Sequence, residues 1–362
     1  MSIKGKALVG LDVHALQTHA AVLDTANGEL SVRRLQVPPL EVVSFLETLG
    51  SGVRAVYEAG PTGFGLARIA RERGIDLQVV APGSIPRGSG DRIKTDRRDA
   101  VRLARLLAAG ELRFAFIPSE ADEAFRDLVR AIEAARGELM RARHRVSKFL
   151  LRKGERYSAG RAWTMKHLAW VRSQHFDDPC AQAAFADYVA GLELLGGRRK
   201  GLIEALEQAI PGSSHAPLVA RLRCFRGIDT LSAAGLCAEI GDFRRFPRPS
   251  QLSGFLGIVP SEYTSDVKRR QGAITKAGPT HARRLLVEAS HHYRRRPMIG
   301  EILARRQHGQ DPRVIEIAWR CQRRLYERWQ HLHQQRGKPN CVVAIACARE
   351  LATFLWEAAV LD

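Results

Sequence analysis

Acidic residues are in short supply. The 362-residue chain carries 38 Asp+Glu against 57 Lys+Arg, a formal charge of +19 and a pI near 10.4. Such an excess is self-repelling unless a polyanion offsets it. Nucleic acid is the first candidate partner and an anionic membrane surface the second. Long apolar runs are also missing. None approaches the roughly 18 residues that cross a bilayer, which argues against membrane insertion. The opening "MSIKGKALVGLDVH" has no signal-peptide core and no cleavage site. The six cysteines (Cys180, Cys224, Cys237, Cys321, Cys341, Cys347) show no CxxC and no paired spacing. That excludes zinc ribbons and a disulfide framework, and reads as six small core residues in a reducing cytoplasm. Internal repeats and low-complexity tracts are absent, which excludes a solenoid. A hydrophobic fraction of 45% and this length allow two or three domains with real cores.

The N-terminal third has short apolar runs of strand type. "KALVGLDV" ends in a carboxylate; "THAAVLDT", the turn "ANGE" and "LSVRRLQV" follow, with Asn27-Gly28 a strong hairpin signal. "LEVVSFLETLG" has helical spacing. "RAVYEAG" is a strand that again ends in a carboxylate, "FGLARIARERG" a helix closed by Gly74, and "DLQVVAP" a strand. "TDRRDAVRLARLLAAG" is a helix closed by Gly110. The order βββαβαβα describes a mixed sheet covered by helices.

Beyond it the pattern becomes helical. Phe125, Leu128, Ile132, Ala135, Leu139, Ala142, Val146 and Phe149 recur at spacings of three and four, as in a coiled coil. A second helix over 181–209 is expected to be weakened by Gly196-Gly197; the pair would form an antiparallel hairpin, part of a dimer stalk, or two core helices. "LVARLRCFRGIDTLSAAGLCAEIGD" reads as helix, tight turn, helix, with Asp229 disfavouring an anion at the turn. The next stretch, through "RLLVEAS", reads as helix, loop, a short strand-like piece, helix. Expected boundaries are 1–115, 116–212 and 213–362: an α/β domain, a helical coiled-coil spacer and a mainly helical C-terminal domain. "HHYRRRP" and "RRQHGQDPR" suit polyanion binding. Trp319, Tyr326 and Trp329 sit among arginines and could stack bases, although helical spacing favours a buried face. The histidines are scattered and suggest no metal set.

Four carboxylates stand out. Asp12 ends the first strand and Glu58 the fourth, while Asp96 and Asp99 open the last helix of the same domain. Alone, the latter pair is explained by helix-dipole chemistry, with Thr95 or Asp96 as cap. If the first and fourth strands are neighbours, Asp12 and Glu58 meet, and a helix laid across their ends brings in Asp96 and Asp99. Four carboxylates do not crowd together unpaired. Two Mg²⁺ ions about 3.5–4 Å apart are the usual remedy in phosphodiester chemistry.

"VGLDVH", "YEAGPTGFG" and "KTDRRDAVRLARLL" resemble the RuvC-like domain of the DEDD transposases, the IS110 insertion-sequence family that includes Piv-type DNA invertases. "LSGFLGIVPSEYTSDVKRRQGAITKAGPTHARRLLVEAS" is similar to that family's second domain. The resemblance spans about 5–110 and 220–290. It implies an RNase H-like fold, Mg²⁺ dependence, homodimers or homotetramers on DNA, guidance by a structured RNA, and a prokaryotic, nucleoid-associated protein. It implies metal ligation by Asp12, Glu58, Asp96 and Asp99 and a DNA-attacking nucleophile at Ser265. From the residues alone, Ser261, Tyr263 and Thr264 compete for that role. Asp266 stands where the family pattern has Gly. Lys268, Arg269, Arg270 and Lys276, with Arg283 and Arg284 further on, are the candidate nucleic-acid contacts. A Holliday-junction resolvase that uses water, or a binder without catalysis, are the other readings. The second motif block disfavours the former and the intact carboxylates the latter.

Overall fold

A computed structural model of the chain describes residues 6–36, 38–86, 95–265 and 268–361, with side chains left out for 263–270. It divides into two compact units, Met1–Ser119 and Glu120–Asp362.

The first unit follows the expected order of elements. Strands β1 (Ala7–Val13), β2 (Gln17–Asp24) and β3 (Leu30–Gln36) are joined by hairpins. Helix α1 (Pro39–Glu47), strand β4 (Arg54–Glu58), helix α2 (Gly65–Glu72), strand β5 (Asp76–Val80) and helix α3 (Asp96–Ala109) follow. The sheet order is β3-β2-β1-β4-β5, antiparallel through the hairpins and parallel from β1 to β5. Strand alternation sorts the side chains by face. Val9, Leu11, Ala55 and Tyr57 join Val42, Val43, Leu66 and Ala70 in one core layer. Leu8 and Val56 point the other way and pack with Leu103 and Leu107 of α3. By the same parity Asp12 and Glu58 share the α3 face.

One glycine sets how close α3 comes. A Cβ on Gly10 would stand 2.9 Å from Leu103 Cβ and closer still to Ala100 O and Ala104 N. Only a residue without a side chain lets the helix backbone lie on β1 here. Buried Ala21, Ala100 and Ala104 extend the close contact toward β2.

In the second unit, α4 (Glu120–Arg152) and α6 (Pro179–Ala209) pack side by side, with the short α5 (Met165–Arg172) between them in sequence. They are antiparallel. Leu139, Val146 and Phe149 meet Phe185 and Leu192 at one end. Phe125, Val129 and Ile132 share a core with Leu206 and Ile210 at the other. Gly196-Gly197 does not break α6, because the packed neighbours on either side hold the turn.

Helices α7 (Ala216–Leu222), α8 (Thr230–Ile240) and α9 (Pro249–Phe255) lead to a two-stranded ribbon, β6 (Pro260–Ser265) and β7 (Lys268–Ile274). The single strand-like piece read from the sequence is thus a hairpin. Its second strand, "KRRQGAI", lacks the apolar alternation that marks a half-buried strand. Helices α10 (Thr280–Ser290), α11 (Glu301–Gln307), α12 (Pro312–Gln330) and α13 (Asn340–Ala359) complete the unit. Its core also takes in the base of the α4–α6 hairpin. Four cysteines are buried, but Cys180 and Cys341 are exposed, which corrects the expectation of six core thiols. Both lie in the first turns of helices, where a helical residue faces solvent unless a neighbouring element covers it. Trp329 is buried and Trp319 and Tyr326 are half-buried, as helical spacing suggested. Among the described residues no helix is long and apolar enough to cross a membrane.

Candidate metal centre

Thr95 settles the capping question: its side chain accepts from the backbone N–H of Arg98. Asp96 and Asp99 remain as first-turn carboxylates outside the cap. Because Gly10 draws α3 onto the sheet, that turn meets the end of β1. The Asp12 carboxylate accepts from His14 Nε2 at 3.3 Å. The same imidazole nitrogen lies 3.6 Å from Asp96 Oδ1. One ligand atom from each of Asp12, His14 and Asp96 falls within 4.8 Å of the others. The outer Asp96 oxygen, Oδ2, accepts from Gln17 Nε2 at 3.2 Å and faces His19 Nδ1 at 3.8 Å.

Electrostatics mark the same place. Burial pushes the Asp12 carboxyl above its ordinary value; His14 opposes this, while the charges of Asp96 and Asp99 add to it. An ionised Asp12 is therefore disfavoured by its surroundings, and a cation among the three acids would relieve it. The donor set, carboxylate oxygens with one imidazole nitrogen, fits a divalent ion.

The parallel register pairs Leu11 with Tyr57, so Asp12 and Glu58 are the next residues on adjacent strands. Glu58 is half-buried at that end of β4. Of the four expected carboxylates, Asp12 and Asp96 thus meet within reach of one ion. Asp99 acts on the Asp12 charge, and Glu58 holds the neighbouring strand end. Sequence reading missed His14, Gln17 and His19; it found the histidines scattered, whereas the fold brings His14 beside Asp12 and Asp96. The signal was present: the β1–β2 hairpin pairs Asp12 with His19 and Val13 with Thr18, so residues 17 and 19 return on the face that Asp12 occupies.

The other predicted residues lie in the second unit. Ser265 is the last residue of β6, paired with Lys268 across the turn, and Thr264 and Tyr263 pair with Arg269 and Arg270. Their side chains are not described, and Asp266 lies outside the described residues. Lys276 is exposed with φ 56, a left-handed turn residue just after the ribbon. Arg283 is engaged within the fold, donating to Leu256 O and Ala277 O at 2.9 Å each and to Thr280 Oγ1 at 3.1 Å. Arg284 donates to Glu288 at 2.7 Å and to Glu133 at 2.6 Å.

Comparison with known proteins now decides the family. Residues 9–153 match the DEDD transposase model of the IS110 type, and residues 219–301 match the model described as "Transposase IS116/IS110/IS902 family". The transposase for insertion sequence element IS1533 of Leptospira borgpetersenii is 30% identical over 343 residues, 93% of this chain and 99% of that protein. The chain belongs to the IS110 family of insertion-sequence transposases. The y4qE protein of Sinorhizobium fredii is 41% identical over 359 residues, covering 98% of this chain and 88% of its own length. The transposase for element IS1328 of Yersinia enterocolitica is 24% identical over 290 residues, 80% of this chain and 84% of that one. The transposase is therefore an enzyme acting on DNA, and its DEDD block is of a kind that uses divalent metal.

Proposed function

We propose that this transposase cuts and rejoins DNA through a covalent 5′-phosphoserine at Ser265, with the N-terminal carboxylates as its Mg²⁺ site. The observation that carries this reading is the meeting of Asp12 and Asp96 at the crossing of α3 and β1, with Asp99 and Glu58 beside them. The five-stranded order with its parallel β1–β4 pair supports an RNase H-like, RuvC-type assignment for this unit.

In this reading the Ser265 hydroxyl attacks phosphorus. An Oγ–P bond forms, the bond to the 3′ oxygen breaks, and the serine proton ends on that leaving oxygen. Bond energy is conserved, so a different 3′-OH can reverse the step and reseal the strand without ATP. A serine hydroxyl is a weak nucleophile unaided. Mg²⁺ held by Asp12, Glu58, Asp96 and Asp99 would favour its ionisation and neutralise phosphate charge. Asp12, disfavoured as an anion by its burial in the free protein, gains from binding a cation. Lys268, Arg269, Arg270 and Lys276 hold the phosphate backbone at the ribbon. Arg283 and Arg284 act from behind it: Arg283 ties Leu256 and Ala277 together at the ribbon's base, and Arg284 links α10 to α4.

Guidance by a structured RNA, assembly as a homodimer or homotetramer, and a cytoplasmic, nucleoid-associated location complete the proposal. The family resemblance supports them, and the net charge of +19 suits polyanionic partners. A supercoiled plasmid carrying the element ends tests the metal role. Recombination should require Mg²⁺ and fall by orders of magnitude in Asp99→Asn, whereas wild-type rates in EDTA would refute it.

A further inference from the structure

We infer that His14 is a direct ligand of the bound cation, giving a mixed nitrogen–oxygen site that prefers Mn²⁺ to Mg²⁺. The inference rests on the metal reading of the N-terminal carboxylates and goes beyond it. Four observations carry it.

The first is distance. Adjacent donors on one octahedral ion at about 2.1 Å stand about 3 Å apart. His14 Nε2 lies 3.3 Å from Asp12 Oδ2 and 3.6 Å from Asp96 Oδ1, so each of these two pairs is within a few tenths of an ångström of that spacing, and one ligand atom from each of the three residues falls within 4.8 Å of the others. The second is aim. The nitrogen that meets Asp12 in a hydrogen bond also faces Asp96, so one atom is aimed between the two carboxylates that an ion would bridge.

The third is support. His14 is fixed by the β1–β2 turn, where its N–H donates to Gln17 O at 2.9 Å. Gln17 in turn donates its side-chain amide to Asp96 Oδ2 at 3.2 Å, leaving Asp96 Oδ1 facing His14. One short turn thus places the imidazole and orients the opposing carboxylate, the outer-shell support that metal ligands commonly have. The fourth is access. The His14 side chain is 51% exposed and Asp12 18%, so the ring stands at the mouth of the site and can adjust to an arriving ion.

Mg²⁺ is held almost wholly by oxygen, while imidazole suits first-row transition ions. Of these, Mn²⁺ also accepts an oxygen-rich octahedral site. An ion bound through Nε2 takes that atom's lone pair, so the neutral ring then carries its proton on Nδ1.

The test uses the full-length protein loaded with Mn²⁺. Electron spin echo modulation should show a directly coupled ¹⁴N that disappears in His14→Ala. The same variant should weaken Mn²⁺ binding by about tenfold or more and Mg²⁺ binding by no more than about twofold. Because His14 is exposed at a turn, the variant should fold, and a circular-dichroism melt checks this. A Mn²⁺-loaded wild type without nitrogen coupling would overturn the His14 assignment and leave the carboxylate site standing. Coupling that persists in His14→Ala would overturn it in favour of His19. No Mn²⁺ binding by the wild type at millimolar concentration would sink the carboxylate reading itself.

Discussion

The contact between Gly10 and α3 offers a perturbation that leaves every polar group unchanged. A methyl group at position 10 would meet Leu103 Cβ at 2.9 Å, and the backbone atoms Ala100 O and Ala104 N at less. Carbon atoms pack at about 3.5–4.0 Å. The helix must therefore retreat by about 1 Å, since backbone atoms cannot rotate aside. Overpacking of this kind costs about 1–3 kcal/mol. The same shift draws Asp96 and Asp99 away from Asp12, and misplacing a catalytic group by about 1 Å can lower a rate about 100-fold. Gly10→Ala should thus lose several degrees in melting temperature and about two orders of magnitude in plasmid recombination, with all carboxylates intact. Gly196→Ala and Gly197→Ala serve as controls. Both sites lie inside α6 with nothing within 4 Å of an added Cβ. Each should gain about 0.5–1 kcal/mol from reduced backbone freedom. Normal stability and activity in Gly10→Ala would show that α3 does not rest on β1 as described.

Two further outcomes depend on charge. Asp12 has its carboxyl raised above 3.8 by burial. Its contribution to stability is therefore full below that value and lost as pH rises through the raised one. At neutral pH, Asp12→Asn should raise the melting temperature of the metal-free protein and abolish the further rise that Mg²⁺ or Mn²⁺ gives the wild type; an unchanged metal response would exclude Asp12 as a ligand. In the second unit, burial alone would push Glu239 up, but the His281 ring and the Arg130 guanidinium overcome it and hold the carboxyl at about 2. The stability it contributes is present above about 4.5 and lost as pH falls through about 2, so melts between those values should show a steep acid limb in the wild type and a flatter one in Glu239→Gln.

Much of the first unit was legible because its signals are local. The Asn27-Gly28 turn, the apolar runs and the glycines after α2 and α3 each specify one element, and the order of elements allows few sheets. The carboxylates were legible for the same reason, since each ends a strand or opens a helix. What sequence could not show directly was contact across elements. His14, Gln17 and His19 enter the site only through the register of the β1–β2 hairpin. The role of Gly10 depends on a helix nearly a hundred residues away. In the second unit, Gly196-Gly197 looked like a break because propensity was weighed without the packing of α4 against α6. The β6–β7 ribbon was half-missed because its second strand, "KRRQGAI", is basic and shows no apolar alternation in sequence.

The most direct measurement is to trap protein on DNA. Supercoiled plasmid with the element ends, incubated with Mg²⁺ and the transcript of the element's end and then quenched in detergent, should yield a transposase joined through phosphoserine to a 5′ end. Peptide mapping should place the link at Ser265, and Ser265→Ala should bind DNA without forming it. Cleaved DNA with no adduct, and undiminished cleavage by Ser265→Ala, would mean that water is the nucleophile and would contradict the account.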